Sequence, residues 1–348
     1  MKRIFFVILS LLTAVSGFSQ INLQPAATVN LIRTEAITVA QLRQEISRYE
    51  QSVGRGLDQS ERLQVLDQMI TERLFLQAAE RDRITVTDNE VNQQIQQLRD
   101  NLAQQLGRQP TDAEYAQAVQ NESGLDVNTF RDYLRRQLIM QKYLMHRKSD
   151  VINSVRTPTD AEILNEYNLV RHSLVRPETI RFSMIQVPFG ADAAARTRAR
   201  TLAESLIREI GNDPAKFDEV AARSVTPNSG YQAGDAGYLP RNQEARSLVG
   251  QQFMDTAFNL RQGQVSTLIE GTQGFQIVKV TENYAVKNLE LSDILQLGTR
   301  ITVRDYIGQM LLQQRSQAVI AQATSELVAE LKTSRTFQIF ENNIRQMN

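Results

Sequence analysis

The chain has 348 residues, enough for two or three domains, and its 39 Lys and Arg residues balance its 39 Asp and Glu residues. A chain with zero net charge has no overall basic excess to attract nucleic acid, so no nucleic-acid partner is predicted. Cysteine is absent and histidine occurs twice, which excludes disulfides, thiolate nucleophiles, cysteine-ligated zinc and three-histidine metal sites. We therefore predict no cofactor and no metal site.

The N-terminal segment has the pattern of a secretory signal peptide over residues 1–19. Lys2 and Arg3 precede an apolar run from Ile4 to Val15, and small residues follow. A retained membrane anchor is the alternative, but the run is shorter than the roughly 20 residues that a spanning helix needs. We expect an exported protein with a periplasmic location and no membrane span after signal cleavage.

Capping boxes mark the helix starts of the next region. In this motif a threonine hydroxyl accepts from an amide of the first helical turn, while a Glu or Gln side chain bonds back to the threonine amide. The boxes begin at Thr38, Thr87, Thr111 and Thr159. Together with a short strand over 27–32, they predict a mostly helical N-terminal domain over 20–176. It ends before Pro177, because a residue that precedes proline avoids the helical conformation.

Residues 177–286 are predicted to form a separate domain in which strands and helices alternate. The pattern gives strands over 180–187, 266–270 and 274–280, helices over 191–210, 217–223 and 250–259, and a glycine-punctuated loop over 228–240.

Residues 287–348 return to helical periodicity over 303–332. This segment is too short to bury its apolar stripe alone, so we expect it to pack back on the N-terminal domain. The predicted class is α+β: a discontinuous, mostly helical domain with a β-α-α-α-β-β domain inserted.

The middle domain resembles the parvulin (PpiC-type) family of peptidyl-prolyl isomerases. The matching stretches are FDEVAARS (217–224), AGDAGYL (233–239), F-x-x-x-A-F-x-L-x-x-G-Q-V-S (253–266) and GFQIVKVTE (274–282). The flanks resemble the SurA-type periplasmic chaperones in the short N-terminal strand, in the helix over 65–91 and in GLDVNTFRDYLRRQLI (124–139). The resemblance implies one parvulin unit held in a SurA-like chaperone domain.

The catalytic pattern of the parvulin family is degenerate in this chain. Met184 stands where the family has its first histidine, Thr226 where it has Asp or Cys, and Gln276 where it has its second histidine. Ala236 replaces a leucine in the glycine loop and shrinks an apolar wall of the groove. A thioether and a neutral amide cannot replace an imidazole pair, so we expect weak or absent isomerase activity and assign no catalytic residue.

Val249 and Phe253 match family positions that line the proline-binding groove, so with Ala236 they are the candidate peptide-binding residues. Their helical spacing fits plain core packing equally well. Neither His146 nor His172 is expected to act in catalysis, and Asp235 is expected to cap backbone amides of its glycine loop.

The resemblance implies an ATP-independent chaperone whose partners are unfolded polypeptides, above all outer-membrane proteins. One alternative is a working isomerase with an altered site that uses Ser183, Thr226 and Gln276. A second alternative is an interaction scaffold that keeps the parvulin fold only as a module. Homo-oligomerisation is left open by the sequence.

Overall fold

The computed structural model describes residues 23–345, so the predicted signal peptide over 1–19 lies outside the described residues. The chain divides into two compact units: residues 1–155 with 315–348, and residues 156–314. Within residues 23–345, no helix combines the length and the apolar character that crossing a bilayer requires.

The first unit is mostly helical. Its helices are α1 (Val39–Val53), α2 (Gln59–Arg81), α3 (Asp88–Leu106), α4 (Asp112–Ser123) and α5 (Val127–Ile152). The predicted capping boxes form at Thr38, Thr87 and Thr111, and a further box forms at Asp58, where aspartate takes the place of threonine. Each box satisfies two backbone amides that the helix itself leaves free.

A small antiparallel sheet closes the first unit. Its strands are β1 (Pro25–Asn30), β2 (Thr34–Thr38) and β9 (Phe337–Ile339), in the order β2-β1-β9. Short helix α12 (Glu341–Arg345) follows β9. The core beneath the sheet is apolar and is shared by both ends of the chain: Ile37, Leu42, Leu66, Ile70, Leu74, Phe75, Tyr143, Leu327 and Leu331.

The second unit is built on a four-stranded antiparallel sheet in the order β5-β4-β7-β6. The strands are β4 (Thr179–Pro188), β5 (Gln232–Pro240), β6 (Ile269–Glu270) and β7 (Gly274–Tyr284). Helices α7 (Ala193–Ile210) and α8 (Pro214–Ala222) cover one face, packing on Ile185, Val187, Phe275 and Ile277. Helices α9 (Gln243–Val249) and α10 (Gln251–Phe258) cover the other, packing on Phe182, Val278 and Val280. The α+β class is confirmed.

Two local expectations for this sheet need correction. Residues 232–240, predicted as a loop, form strand β5 and pair with β4 from Thr179 to Gln186. The glycines weaken the local strand signal, and the pairing partner supplies the hydrogen bonds that define the strand. The strand predicted over 266–270 is shorter, since only Ile269 and Glu270 pair with β7 as a ladder.

Segments that precede and follow the four-stranded sheet along the chain complete the second unit. They include α6 (Asp160–Val170), which starts at the predicted capping box of Thr159, and the strand pair β3 (Val175–Arg176) and β8 (Lys287–Asn288). Ile163, Leu289, Val303 and Ile307 form a buried cluster among them. The compact unit therefore extends beyond the predicted limits of 177 and 286, because these segments bury their apolar residues against each other.

Helix α11 (Val303–Leu331) supplies Val303 and Ile307 to this cluster, and it supplies Leu327 and Leu331 to the core of the first unit.

Candidate functional site

The β4–β7 ladder sets the geometry of the candidate site. Met184 pairs with Val278, and Gln186 pairs with Gln276. Because side chains alternate along a strand, these four residues share one face of the sheet, the face covered by α9 and α10. The sheet thus brings together Met184 and Gln276, the two positions where the sequence lacks the expected histidines.

The side chain of Gln276 lies close to Gly271. A Cβ atom on Gly271 would be 2.8 Å from the Oε1 atom of Gln276, at the flexible end of that side chain. The Oε1 atom is buried and accepts no hydrogen bond from residues 23–345. An unsatisfied buried acceptor of this kind costs free energy and contributes no network that could position a substrate.

Met184 is half-buried at the edge of the α9–α10 core cluster, where Val249 also packs. Phe253 lies deeper: it is 2% exposed, and its ring meets Phe182 edge-on with a centroid distance of 5.4 Å. Of the two alternatives for Phe253, burial favours core packing over direct contact with a peptide.

The remaining sequence-predicted positions lie on exposed backbone. Ala236 is exposed on β5, and Thr226 is exposed after α8, in a turn closed by the bond from the Ser229 amide to the Thr226 carbonyl. The two histidines lie off the four-stranded sheet, since His146 is in α5 and His172 follows α6.

The charged side chains beside the site form ion pairs with each other. Arg181 donates to Asp235 Oδ2 at 2.6 Å and to Glu282 Oε1 at 2.9 Å. The hydrogen bond from Arg181, with a second from the Gly237 amide, holds the pKa of Asp235 below its usual range. Asp235 is therefore ionised and caps backbone as expected, rather than acting as a proton donor. The hydrogen bond to Glu282 raises the pKa of Tyr284 to about 12.

Clusters of potential metal ligands were sought among residues 23–345. Over 23–345, no group of three or more His, Asp or Glu side chains is placed to hold a metal ion.

The helical unit contains a crevice that the sequence did not reveal. One part, a cavity of about 420 Å³, lies between α1, the end of α4 and α5, with Tyr49 and Tyr133 in its lining. The second part, about 250 Å³, lies between α3, α4 and α5 and includes Tyr115 and Phe130. Glu122 and Ser123 line both parts, so the two adjoin each other at the end of α4.

Aromatic side chains define this crevice, which we call the α4 crevice. The rings of Phe130 and Tyr133 stack at a centroid distance of 6.2 Å, one in each part. Tyr49 and Tyr133 are 39% and 36% exposed. The Tyr115 hydroxyl is buried and has no hydrogen-bond partner within the described residues. Periodicity alone could not separate the exposed Tyr49 and Tyr133 from core residues, because both kinds of residue occupy amphipathic helices.

Two family models match separate parts of the chain. The SurA-like N-terminal domain family matches residues 1–144, and the PPIC-type PPIASE domain family matches residues 180–282.

Among curated proteins, Chaperone SurA of Saccharophagus degradans is 27% identical over 286 residues, covering 78% of this chain and 61% of that protein. Foldase protein PrsA of Clostridium botulinum is 22% identical over 311 residues, covering 87% of this chain and 80% of that protein. The chain thus spans about three fifths of the length of the SurA relatives it matches first.

Superposition on solved structures gives low TM-scores. Two chains reported for PEB4 and Cj1289, SurA-like chaperones of Campylobacter jejuni, align with TM-scores of 0.32 and 0.36 at 17% and 12% identity. They cover 88% and 91% of this chain and 99% and 98% of the solved chains. Sequence similarity, and not these superpositions, assigns the two domains.

Proposed function

Because the chain combines a SurA-like N-terminal domain with a PPIC-type domain, we propose that it is an ATP-independent periplasmic chaperone for unfolded exported polypeptides, outer-membrane proteins above all. In this proposal its prolyl isomerase activity is weak or absent. The helical unit holds the client, and the parvulin-like sheet acts as a scaffold.

One contrast carries the proposal. The α4 crevice offers aromatic side chains in an open cleft, while the sheet face that would rotate a prolyl bond presents Met184, Gln186 and Gln276. Aromatic side chains that stand among polar groups, such as Arg48 and Gln120 in the larger part, suit weak, reversible binding of extended chains. Rotation of a prolyl bond has a barrier of about 18–20 kcal/mol, and lowering it requires groups that favour the twisted amide. Neutral side chains that lack a hydrogen-bond network provide little stabilisation of the twisted amide.

Two assays on the purified chain test the two halves of the proposal. In the first, an unfolded β-barrel protein is diluted from denaturant, and light scattering follows its aggregation with increasing amounts of the chain. We expect suppression at roughly equimolar ratios, and unchanged scattering would reject the chaperone function. In the second, isomerisation of a prolyl peptide is followed with and without the chain, and robust acceleration would instead support the altered-site isomerase.

A further inference from the structure

A further cavity, about 230 Å³ in volume, lies in the 156–314 unit beside the start of β4. Its lining includes Thr179, at the start of β4, and Met184 lies five residues further along the same strand, which is about 16 Å at 3.3 Å per residue. Leu174, Leu289, Leu295 and Leu297 form its apolar wall, and Arg176 of β3 is the charged side chain in the lining.

The charge of Arg176 is not isolated: the hydrogen bond from Lys287 lowers the pKa of Asp293 most, and the charge of Arg176 adds a smaller contribution. Within residues 23–345 Arg176 forms no ion pair and no side-chain hydrogen bond, and its Nε atom is buried and unsatisfied. The guanidinium lies over the ring of Tyr284, with 5.4 Å from Cζ to the ring centroid. Arg176 as a whole is half-buried, but its buried Nε donor lacks an acceptor, and this favours a ligand that brings one.

The neighbouring carboxylates do not serve as that acceptor. Asp293 accepts from Lys287 Nζ at 2.5 Å and from the Glu290 amide at 2.7 Å. Glu282, beside Tyr284, accepts from Arg181. Neither carboxylate therefore provides an acceptor to Arg176 directly, which leaves its guanidinium available to a carboxylate ligand.

We propose that this pocket, the Arg176 pocket, binds the C-terminal residue of an unfolded polypeptide. The terminal carboxylate pairs with the guanidinium of Arg176, which offers two parallel donors to a planar carboxylate. The apolar side chain of the same residue enters the leucine wall. The proposal rests on the proposed function, since it assumes that unfolded chains are the ligands, and it adds a recognition element for chain ends.

The size of the pocket selects this ligand over a lipid acid. A volume of about 230 Å³ suits one large side chain with a carboxylate. A long acyl chain would need more room. The pocket is also smaller than the roughly 300–1,000 Å³ typical of sites for larger small molecules.

The test uses two fluorescent peptides of one sequence ending in leucine, one with a free carboxylate and one with a C-terminal amide. Fluorescence anisotropy with the full chain measures both dissociation constants. We expect the free acid to bind about tenfold more tightly, as a charge-assisted hydrogen bond predicts. Arg176→Gln should remove the difference, and Arg176→Lys should retain part of it, because lysine keeps the charge but not the paired geometry.

Arg171→Gln is the matched control. Arg171 is exposed, lies five residues away and does not line the pocket, so this variant changes the net charge equally and should leave both affinities unchanged. Circular dichroism melting verifies that each variant is folded. Equal affinities of the two peptides, or a difference that survives Arg176→Gln, would overturn the proposal.

A competition arm with dodecanoate separates the two sources of a carboxylate. Displacement of the free-acid peptide at lower dodecanoate than peptide concentrations would assign the pocket to lipid acids and overturn the proposal. Suppression of barrel-protein aggregation together with equal peptide affinities would reject the pocket and leave the chaperone function intact. Failure of both assays would reject both.

Discussion

Gln276 on β7 lies directly opposite Gln186 on β4, so two neutral amides face each other across the ladder at the candidate site. Met184 is two residues from Gln186 on the same face, and its partner is Val278. Neither amide nor thioether titrates in water, so this face cannot exchange a proton with a substrate at any physiological pH. The sheet face of the candidate site therefore carries no ionisable group at Met184, Gln186 or Gln276.

The first prediction restores the missing side chains. In the double variant Met184→His and Gln276→His, two imidazoles stand on one face of the sheet, where they can again form a hydrogen-bond network. We expect kcat/KM for a prolyl peptide to rise at least about tenfold above the unmodified chain, since one well-placed network contributes more than about 1.4 kcal/mol. The isomerisation assay described above measures this.

Gln186→His is the control for the double variant, because it adds one imidazole to the same face at a position that the parvulin pattern does not use. An equal rise in both variants would show that any imidazole suffices. No rise in the double variant would place the loss of activity elsewhere, for example in the reduced wall at Ala236.

The second prediction concerns Phe253, whose burial against Phe182 favours a structural role. Phe253→Ala should lower the free energy of unfolding by about 3–5 kcal/mol, as expected when a buried aromatic ring is removed. Leu248→Ala is the control, since Leu248 is 76% exposed on the neighbouring helix and should change stability by less than about 0.5 kcal/mol. Urea denaturation measures both. A stable Phe253→Ala variant that loses peptide binding would instead show that Phe253 contributes to the peptide-binding groove.

The sequence predicted those parts of the fold that depend on local chemistry. The boxes at Thr38, Thr87, Thr111 and Thr159 are visible because both halves of the motif lie within four residues. The strand pairing of β1 with β9 is not visible in this way: Val29 pairs with Phe337, more than 300 residues away, and no local pattern encodes that register. Strand β5 was missed for the same reason, since its ladder hydrogen bonds are made with β4, a distant segment of the chain.

The candidate site was only half predictable. Met184 and Gln276 were singled out because their stretches resemble the parvulin family, whereas their shared face follows from the β4–β7 pairing. The α4 crevice and the Arg176 pocket were not identified, because each is assembled from several elements. An arginine that forms no ion pair looks the same in sequence as one that does.

The third prediction tests the tight contact at the start of β7. A Cβ atom on Gly274 would collide with the carbonyl oxygen of Val187 on β4, so this position accepts only glycine. Gly274→Ala should destabilise the chain by about 2 kcal/mol or more, because backbone atoms must move. Gly234→Ala on β5 is the control, since its added Cβ meets nothing within 4 Å. Equal stabilities of the two variants would contradict the β4–β7 register.

The fourth prediction follows from the capping boxes. Hydrogen bonds from Arg55, Lys142 and Arg108 lower the pKa values of Glu61, Glu90 and Glu114 to about 2, from an ordinary 4.5. A carboxyl with a lowered folded-state pKa stabilises the fold above its unfolded pKa, and this contribution is lost as the pH falls. The melting temperature should therefore fall between about pH 4.5 and pH 2.

Replacing all three glutamates with glutamine should reduce this acid-induced fall. Glutamine can still close the box, as Gln41 does at the start of α1, but it carries no charge to lose. Glu244→Gln, at an exposed position of α9 outside any capping box, is the control and should keep the slope of the parent chain. An unchanged slope in the triple variant would mean that other carboxylates govern acid unfolding.

The fifth prediction locates the client on the α4 crevice, and the absence of cysteine makes it directly measurable. Tyr133→Cys provides one attachment point for a photo-crosslinker at the crevice, and Met145→Cys provides a matched point on the same helix. The two parent side chains are 36% and 42% exposed, so accessibility does not favour either, yet only Tyr133 lines the crevice. We expect an unfolded barrel protein to crosslink at least about fivefold more to position 133, because clefts bury more ligand surface than open helix faces. Equal crosslinking would place the client elsewhere, even if aggregation is suppressed.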